Sequence, residues 1–253
     1  MELDFRTVKL ATGGIVDEDC FRKAISKFRP KQIIFTDRKM PILIRVLHLY
    51  IKMNPLYDYP VGWMEGRCLV VSSQCSGEKI EAPIDMSYFF YDRLHFSHQF
   101  LIYIDVSNLD VGETKYFNKT FAHCGEKSKS FYIDGLETWY NSYSAIEMNY
   151  TFYFAGAESE NFSIKGLEQI STFRVETMDG MLYGAGRKCK EWALDLSNLW
   201  VDDCISHNHF CDDNSQILEP HWKNTKSKKY LVDKQIDKTI TLDIHAVIHY
   251  HSM

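Results

Sequence analysis

The segment Ala145-Ile-Glu-Met-Asn-Tyr-Thr-Phe-Tyr-Phe154 alternates in character from one residue to the next. Ile146, Met148, Tyr150, Phe152 and Phe154 oppose Ala145, Glu147, Asn149, Thr151 and Tyr153. Alternation with period two puts one set on each face of an extended chain, which predicts a half-buried β-strand. The pattern recurs at 99–106 and 192–200, and over 240–250, where Ile240, Leu242, Ile244, Ala246, Ile248 and Tyr250 share a face. Shorter strand candidates lie at 67–73, 87–91, 115–121, 130–133 and 172–177. Many half-buried strands predict a mainly β fold, an antiparallel β-sandwich.

One helix is signalled within about 17–29. Asp17, Glu18 and Asp19 suit a helix N-terminus, Phe21, Ala24, Ile25 and Phe28 recur at helical spacing, and Arg29-Pro30 ends the run. The stretch 42–51 is ambiguous between a second helix and a buried strand, with Arg45, His48 and Lys52 on one helical side. No internal repeat, charge block or linker is evident, so residues 1–253 are expected to form a single β-sandwich domain with one or two helices.

Gly 13 and Pro 6 in 253 residues exclude collagen-like and proline-rich chains. A formal charge of −5 argues against a dedicated nucleic-acid binder, which needs a basic face. The opening MELDFRTVKL has no apolar run of signal-peptide type, and the apolar stretch 40–53 is too short to span a bilayer. A cytoplasmic, non-secreted protein without a membrane partner is expected. Seven scattered cysteines then read as reduced thiols, and the sequons at Asn118, Asn149 and Asn161 as unglycosylated.

Cys204, His207, His209 and Cys211 are zinc-ligand types within eight residues, but four ligands so close in sequence rarely close a tetrahedron. The alternative is a polar loop. His245, His249 and His251 share a face of the 240–250 strand and read as a metal face, a pH sensor or a polar outer edge. Gly184, Gly186, Arg187 and Lys188 suggest an anion nest for a phosphate or nucleotide, without P-loop spacing. A hairpin turn with solvated basic residues is the favoured explanation. His95-Phe-Ser97-His98 places a nucleophile beside bases, yet no hydrolase motif accompanies it. The expectation is a non-enzyme with no cofactor, zinc and a bound nucleotide being the exceptions to test.

Tyr57, Tyr59, Tyr88, Tyr91, Tyr140, Tyr143 and Tyr153 fall at outward or loop positions, and tyrosine is enriched where protein surfaces meet. The run Phe21-Arg-Lys-Ala-Ile-Ser-Lys-Phe28, the Tyr140-Asn-Ser stretch with 145–154, and Cys189-Lys-Glu-Trp192-Ala193 together resemble the polyhedrins of cypoviruses. These patches cover about a third of the chain. The resemblance implies a β-sandwich subunit forming homotrimers, packed with copies of itself in an intracellular lattice that embeds virus particles. Such an occlusion body would dissolve at alkaline pH as its Tyr 15 and Cys 7 ionise. The ending Lys229-Tyr-Leu-Val-Asp233 with 238–245 is similar to the last strand of TRAF-like (MATH) domains, which implies a peptide-binding module as the alternative. A viral capsid or matrix subunit without occlusion is the third reading.

Overall fold

The computed structural model describes residues 7–9, 11–12, 15–16, 18–41, 60–91, 96–211 and 216–223. The stretch 42–51, His95, and the C-terminal segment 224–253, with the expected strand and its three histidines, lie outside them.

The elements begin with β1 (Thr7–Lys9), β2 (Ala11–Thr12), β3 (Ile15–Val16) and α1 (Glu18–Phe28), and α1 falls where its acidic start and apolar spacing place it. β4 (Gln32–Thr36), β5 (Val61–Glu65), β6 (Cys68–Ser72) and β7 (Ile80–Glu81) follow. Then come β8 (Tyr103–Asp105), β9 (Leu109–Asp110), β10 (Ser130–Asp134), β11 (Asn161–Ile164), β12 (Leu194–Asp195) and β13 (Ile217–Leu218). Short 3-10 helices span Ser97–Phe100, Leu136–Asn141 and Leu167–Gln169. The fold class is mainly β, as the sequence predicts.

Pairing differs from the antiparallel expectation. Among the described residues, β1 with β5, β5 with β6 and β2 with β3 pair antiparallel. The remaining pairs are parallel. They include β6–β4–β8–β10–β11, five consecutive members of a seven-stranded sheet, and the separate pair β12–β13. A ladder of isolated parallel bridges runs Asp85, Tyr116, Glu147, Thr177, Ser206. Successive rungs are 29 to 31 residues apart, so each rung begins a new coil stacked on the last. The chain therefore does contain an internal repeat, a coil of about thirty residues. Each coil buries its apolar side against its neighbours.

The segment 145–154 is not a strand. Alternate amides, those of Met148, Tyr150, Phe152 and Phe154, donate to the next coil at Thr177, Asp179, Met181 and Tyr183. The amides of Tyr153 and Ala155 turn back three residues, to Tyr150 and Phe152. Consecutive turns result, and burial follows the turns: Met148, Thr151, Phe152 and Ala155 are inside, while Tyr150 is exposed. The same path runs through 116–124, where Phe117, Lys119, Phe121 and His123 donate across coils.

Three residues after each rung the backbone adopts a left-handed conformation, at Tyr88, Lys119, Tyr150, Gly180 and His209. Four of these five carry a Cβ, an uncommon placement that costs energy. Part of the offset is visible: the amides of Tyr88, Lys119, Tyr150 and Gly180 donate to carbonyls 2.8–2.9 Å away on the next coil.

The core is an aromatic column. Phe90 stacks on Phe121 at 4.8 Å and Phe121 on Phe152 at 5.1 Å, one ring per coil. At the N-terminal end α1 closes the column, with Phe21 stacked on Phe89 at 4.4 Å and Ala24 and Ile25 buried beside it. On the far side of the sheet Met40, Trp63 and Val70 form a small second cluster, where Arg38 grips Glu65 through two 2.9 Å contacts.

Glycine is required where coils meet rings. Gly125 has φ +62, and a Cβ there would lie 2.1 Å from Phe131 Cγ. Gly125→Ala combines left-handed strain with a steric clash and is expected to destabilise by about 2 kcal/mol or more. Urea unfolding monitored by tryptophan fluorescence checks this; Lys127→Ala, exposed on the same coil, should shift the midpoint little.

Candidate interaction surface

The coils are held in register on one corner by buried hydroxyls. Ser142 Oγ donates to Ser171 O at 2.9 Å and to its own coil at Trp139 O, and Thr172 Oγ1 donates to Trp200 O. Ser142 and Thr172 are buried, as are Ala145 and Val175 behind them. Tyr143 and Phe173, the residues after those hydroxyls, are turned outward. Tyr140, Tyr143, Phe173 and Trp200 are 63%, 58%, 52% and 51% exposed and belong to three successive coils. The rings of Phe173 and Trp200 meet at 5.7 Å. Grouped exposed aromatic side chains make this corner, an aromatic ridge, the candidate contact surface.

At its C-terminal end the ridge carries a cation. Lys223 Nζ lies over the Trp200 ring, 5.9 Å from its centroid, and pairs with the Asp202 carboxylate.

The tyrosines proposed as contact residues divide. Tyr140 and Tyr143 are exposed on the ridge. Tyr88, Tyr91 and Tyr153 are half-buried in contacts within the chain. Tyr88 shares Lys119 with Tyr150, the amine 5.4 Å from each ring, while Tyr153 stacks on Tyr183 at 5.5 Å. Tyr57 and Tyr59 lie outside the described residues. Phe173 and Trp200 were missed as surface residues, since 172–177 and 192–200 read as strands, the latter with Trp192, Leu194, Leu196 and Trp200 on one face.

The zinc-type residues are not gathered. Cys204 is buried and its thiol donates to Ser206 O at 3.3 Å; the Cys211 thiol donates to Glu219 Oε1 at 2.9 Å. His207 stacks on Trp222 at 4.0 Å, and His209 is exposed in a left-handed turn. Among the described residues no group of three or more His, Cys, Asp or Glu is placed to hold a metal. Burial raises the Cys204 thiol's pKa to about 11.

The Gly184–Lys188 turn is built for packing. The amides of Ala185 and Gly186 donate to Leu182 O and Ala155 O. A Cβ on Gly186 would lie 2.2 Å from the Phe162 ring. Arg187 lies over Phe154 at 4.9 Å, and Lys188 is exposed. Two of the amides an anion nest would use are thus already bonded. Ser97 is buried and its hydroxyl faces Ile25 O. Asn118 and Asn149 are ladder residues: their side-chain amides donate to Glu147 and Thr177 on the next coil, at 2.7 and 2.8 Å. Of the three sequons, Asn161 is exposed. No described helix is long and apolar enough to cross a membrane.

Protein-family models, curated proteins and solved structures contain no match to this chain.

Burial raises the pKa of both Cys68 and Cys204 from 9.0 to about 11. In the unfolded chain these thiols ionise near pH 9, so above it the folded state holds more protons and stability falls with rising pH. Their contribution is intact below pH 9 and lost as pH rises to about 11. Thermal melts at half-unit steps should show that decline, and Cys204→Ala should make it shallower.

Proposed function

We propose that this chain is a non-enzymatic recognition scaffold whose coils present the Tyr143–Phe173–Trp200 ridge to an extended polypeptide partner. The observation that carries the reading is the exposure of aromatic side chains on successive coils, with Tyr143 and Phe173 each following a buried hydroxyl residue and Trp200 packed against Phe173. The backbone that supports them is held by coil-to-coil hydrogen bonds, so the ridge pays little ordering entropy on binding. Peptide binding, the alternative drawn from the sequence, is thereby retained on different residues and without the TRAF-like sandwich.

A second reading gives the ridge a copy of the same chain as partner. It is the self-assembling function, with the occlusion-body matrix as its specific form and a capsid or matrix subunit as its relative. Ile84 and Ile205, 58% and 45% exposed, favour it, because they precede the first and last rungs of the bridge ladder and offer apolar contacts at both ends. The parallel coils differ from the sandwich subunit that the polyhedrin resemblance implies, so this reading rests on the exposed apolar residues alone.

Sedimentation velocity of the full chain at neutral pH separates the two. Peptide recognition expects one slow species. Self-assembly expects large particles that the double substitution Phe173→Ala, Trp200→Ala disperses and that dissolve above about pH 10 as tyrosines ionise. Both substitutions are on the surface, so melting should change by no more than about 0.5 kcal/mol in stability. Large particles unaffected by the pair would rule out the ridge as the self-assembly contact.

A further inference from the structure

The contact at the C-terminal end of the ridge has the composition of a binding subsite. The Trp200 ring has Phe173 against it at 5.7 Å, and Asp202 stands two residues along the chain. Thr172 anchors the Trp200 carbonyl, and Val201, between ring and carboxylate, is buried. Ring and carboxylate are therefore mounted on a fixed segment. Lys223 comes from 21 positions away, with its side chain 62% exposed, and puts its amine both over the ring and on the carboxylate. An alkylammonium is attracted by the π-face of tryptophan and by an anion at its rim, whereas the same carboxylate repels phosphate.

We propose that Trp200 and Asp202 clamp a lysine or arginine side chain of the polypeptide partner, and that Lys223 is a displaceable resident of that clamp. This rests on the peptide-recognition reading of the ridge and names the chemistry of its partner: a segment carrying a basic residue beside apolar ones, which cover Phe173 and Tyr143. Lys223 competes with that residue. The clamp is selective because a neutral side chain gains neither the ring's quadrupole nor the ion pair, and displacing Lys223 for it breaks the Lys223–Asp202 ion pair. Exchange of one cation for another keeps both interactions, so a basic partner meets little electrostatic penalty. The apolar part of the ridge then decides the net affinity.

The test uses the full chain and two fluorescein-labelled ten-residue peptides, one alternating leucine with lysine and one alternating leucine with glutamine, read by fluorescence anisotropy. The lysine peptide is expected to bind saturably. Lys223→Ala should tighten it about tenfold by removing the competitor, and Asp202→Asn should weaken it about tenfold, the scale of one cation–π contact combined with an ion pair. Trp200→Phe, which keeps a ring, should weaken binding less than Trp200→Ala. The glutamine peptide should respond to Trp200→Ala but not to Lys223→Ala or Asp202→Asn. Equal binding of the lysine peptide by wild type and Lys223→Ala, with melting temperatures unchanged, overturns the clamp while leaving the ridge in place. The same holds for equal responses of both peptides to Asp202→Asn. If neither peptide binds any variant, clamp and ridge are overturned together.

Discussion

The structure depends on hydrogen bonds that leave one coil and arrive on the next. Phe117, Lys119, Phe121 and His123 donate to the coil of Glu147, and Met148, Tyr150, Phe152 and Phe154 donate to the coil of Thr177. Buried backbone groups must be paired somewhere, and a coil with so little regular strand cannot pair them internally. Half its amides turn back within the coil, and the alternate ones require a neighbour. No coil is complete alone, which is why stability in such an arrangement is shared between adjacent units.

Side chains repeat the same logic. Thr120 and Thr151, at equivalent positions, each donate a buried hydroxyl to their own coil and to the previous one. Asn118 and Asn149 accept backbone amides of the next coil, from Asn149 and Asp179. Inside the stack, aromatic rings lie over one another; outside it, Lys119 bridges Tyr88 and Tyr150. Aromatic residues thus take three kinds of place in this chain. They fill the core, brace the outer faces of the turns, and at positions such as Tyr143, Phe173 and Trp200 are exposed. On this corner the residues before Tyr143 and Phe173 are buried hydroxyl residues that bond to the next coil.

The helix 18–28, the strands 68–72 and 130–134 and the mainly β class were legible, because each declares itself within a few residues through apolar spacing, an acidic start or a terminating Pro30. The repeat was not recognised, although its trace is present. Met86, Phe117, Met148 and Met178 follow the rungs, and Phe90, Phe121, Phe152 and Leu182 lie four residues beyond them. Spacings that drift from 31 to 29 residues and substitutions such as Tyr150 to Gly180 hide it from inspection by eye. The misreading of 145–154 has a physical root. Alternate amides do point the same way, so period two is real for the backbone, while the turns bury side chains at spacings of three and four.

Local sequence alone settled which residues prefer burial and where the one described α-helix begins and ends, since these follow from side-chain chemistry and near-neighbour backbone preferences. Tertiary structure alone decided that the coils stack in parallel and that Trp200 faces out while Trp192 faces in. Those outcomes depend on hydrogen-bond partners about thirty residues away, and no window of the chain short enough to show a pattern contains both members of such a pair.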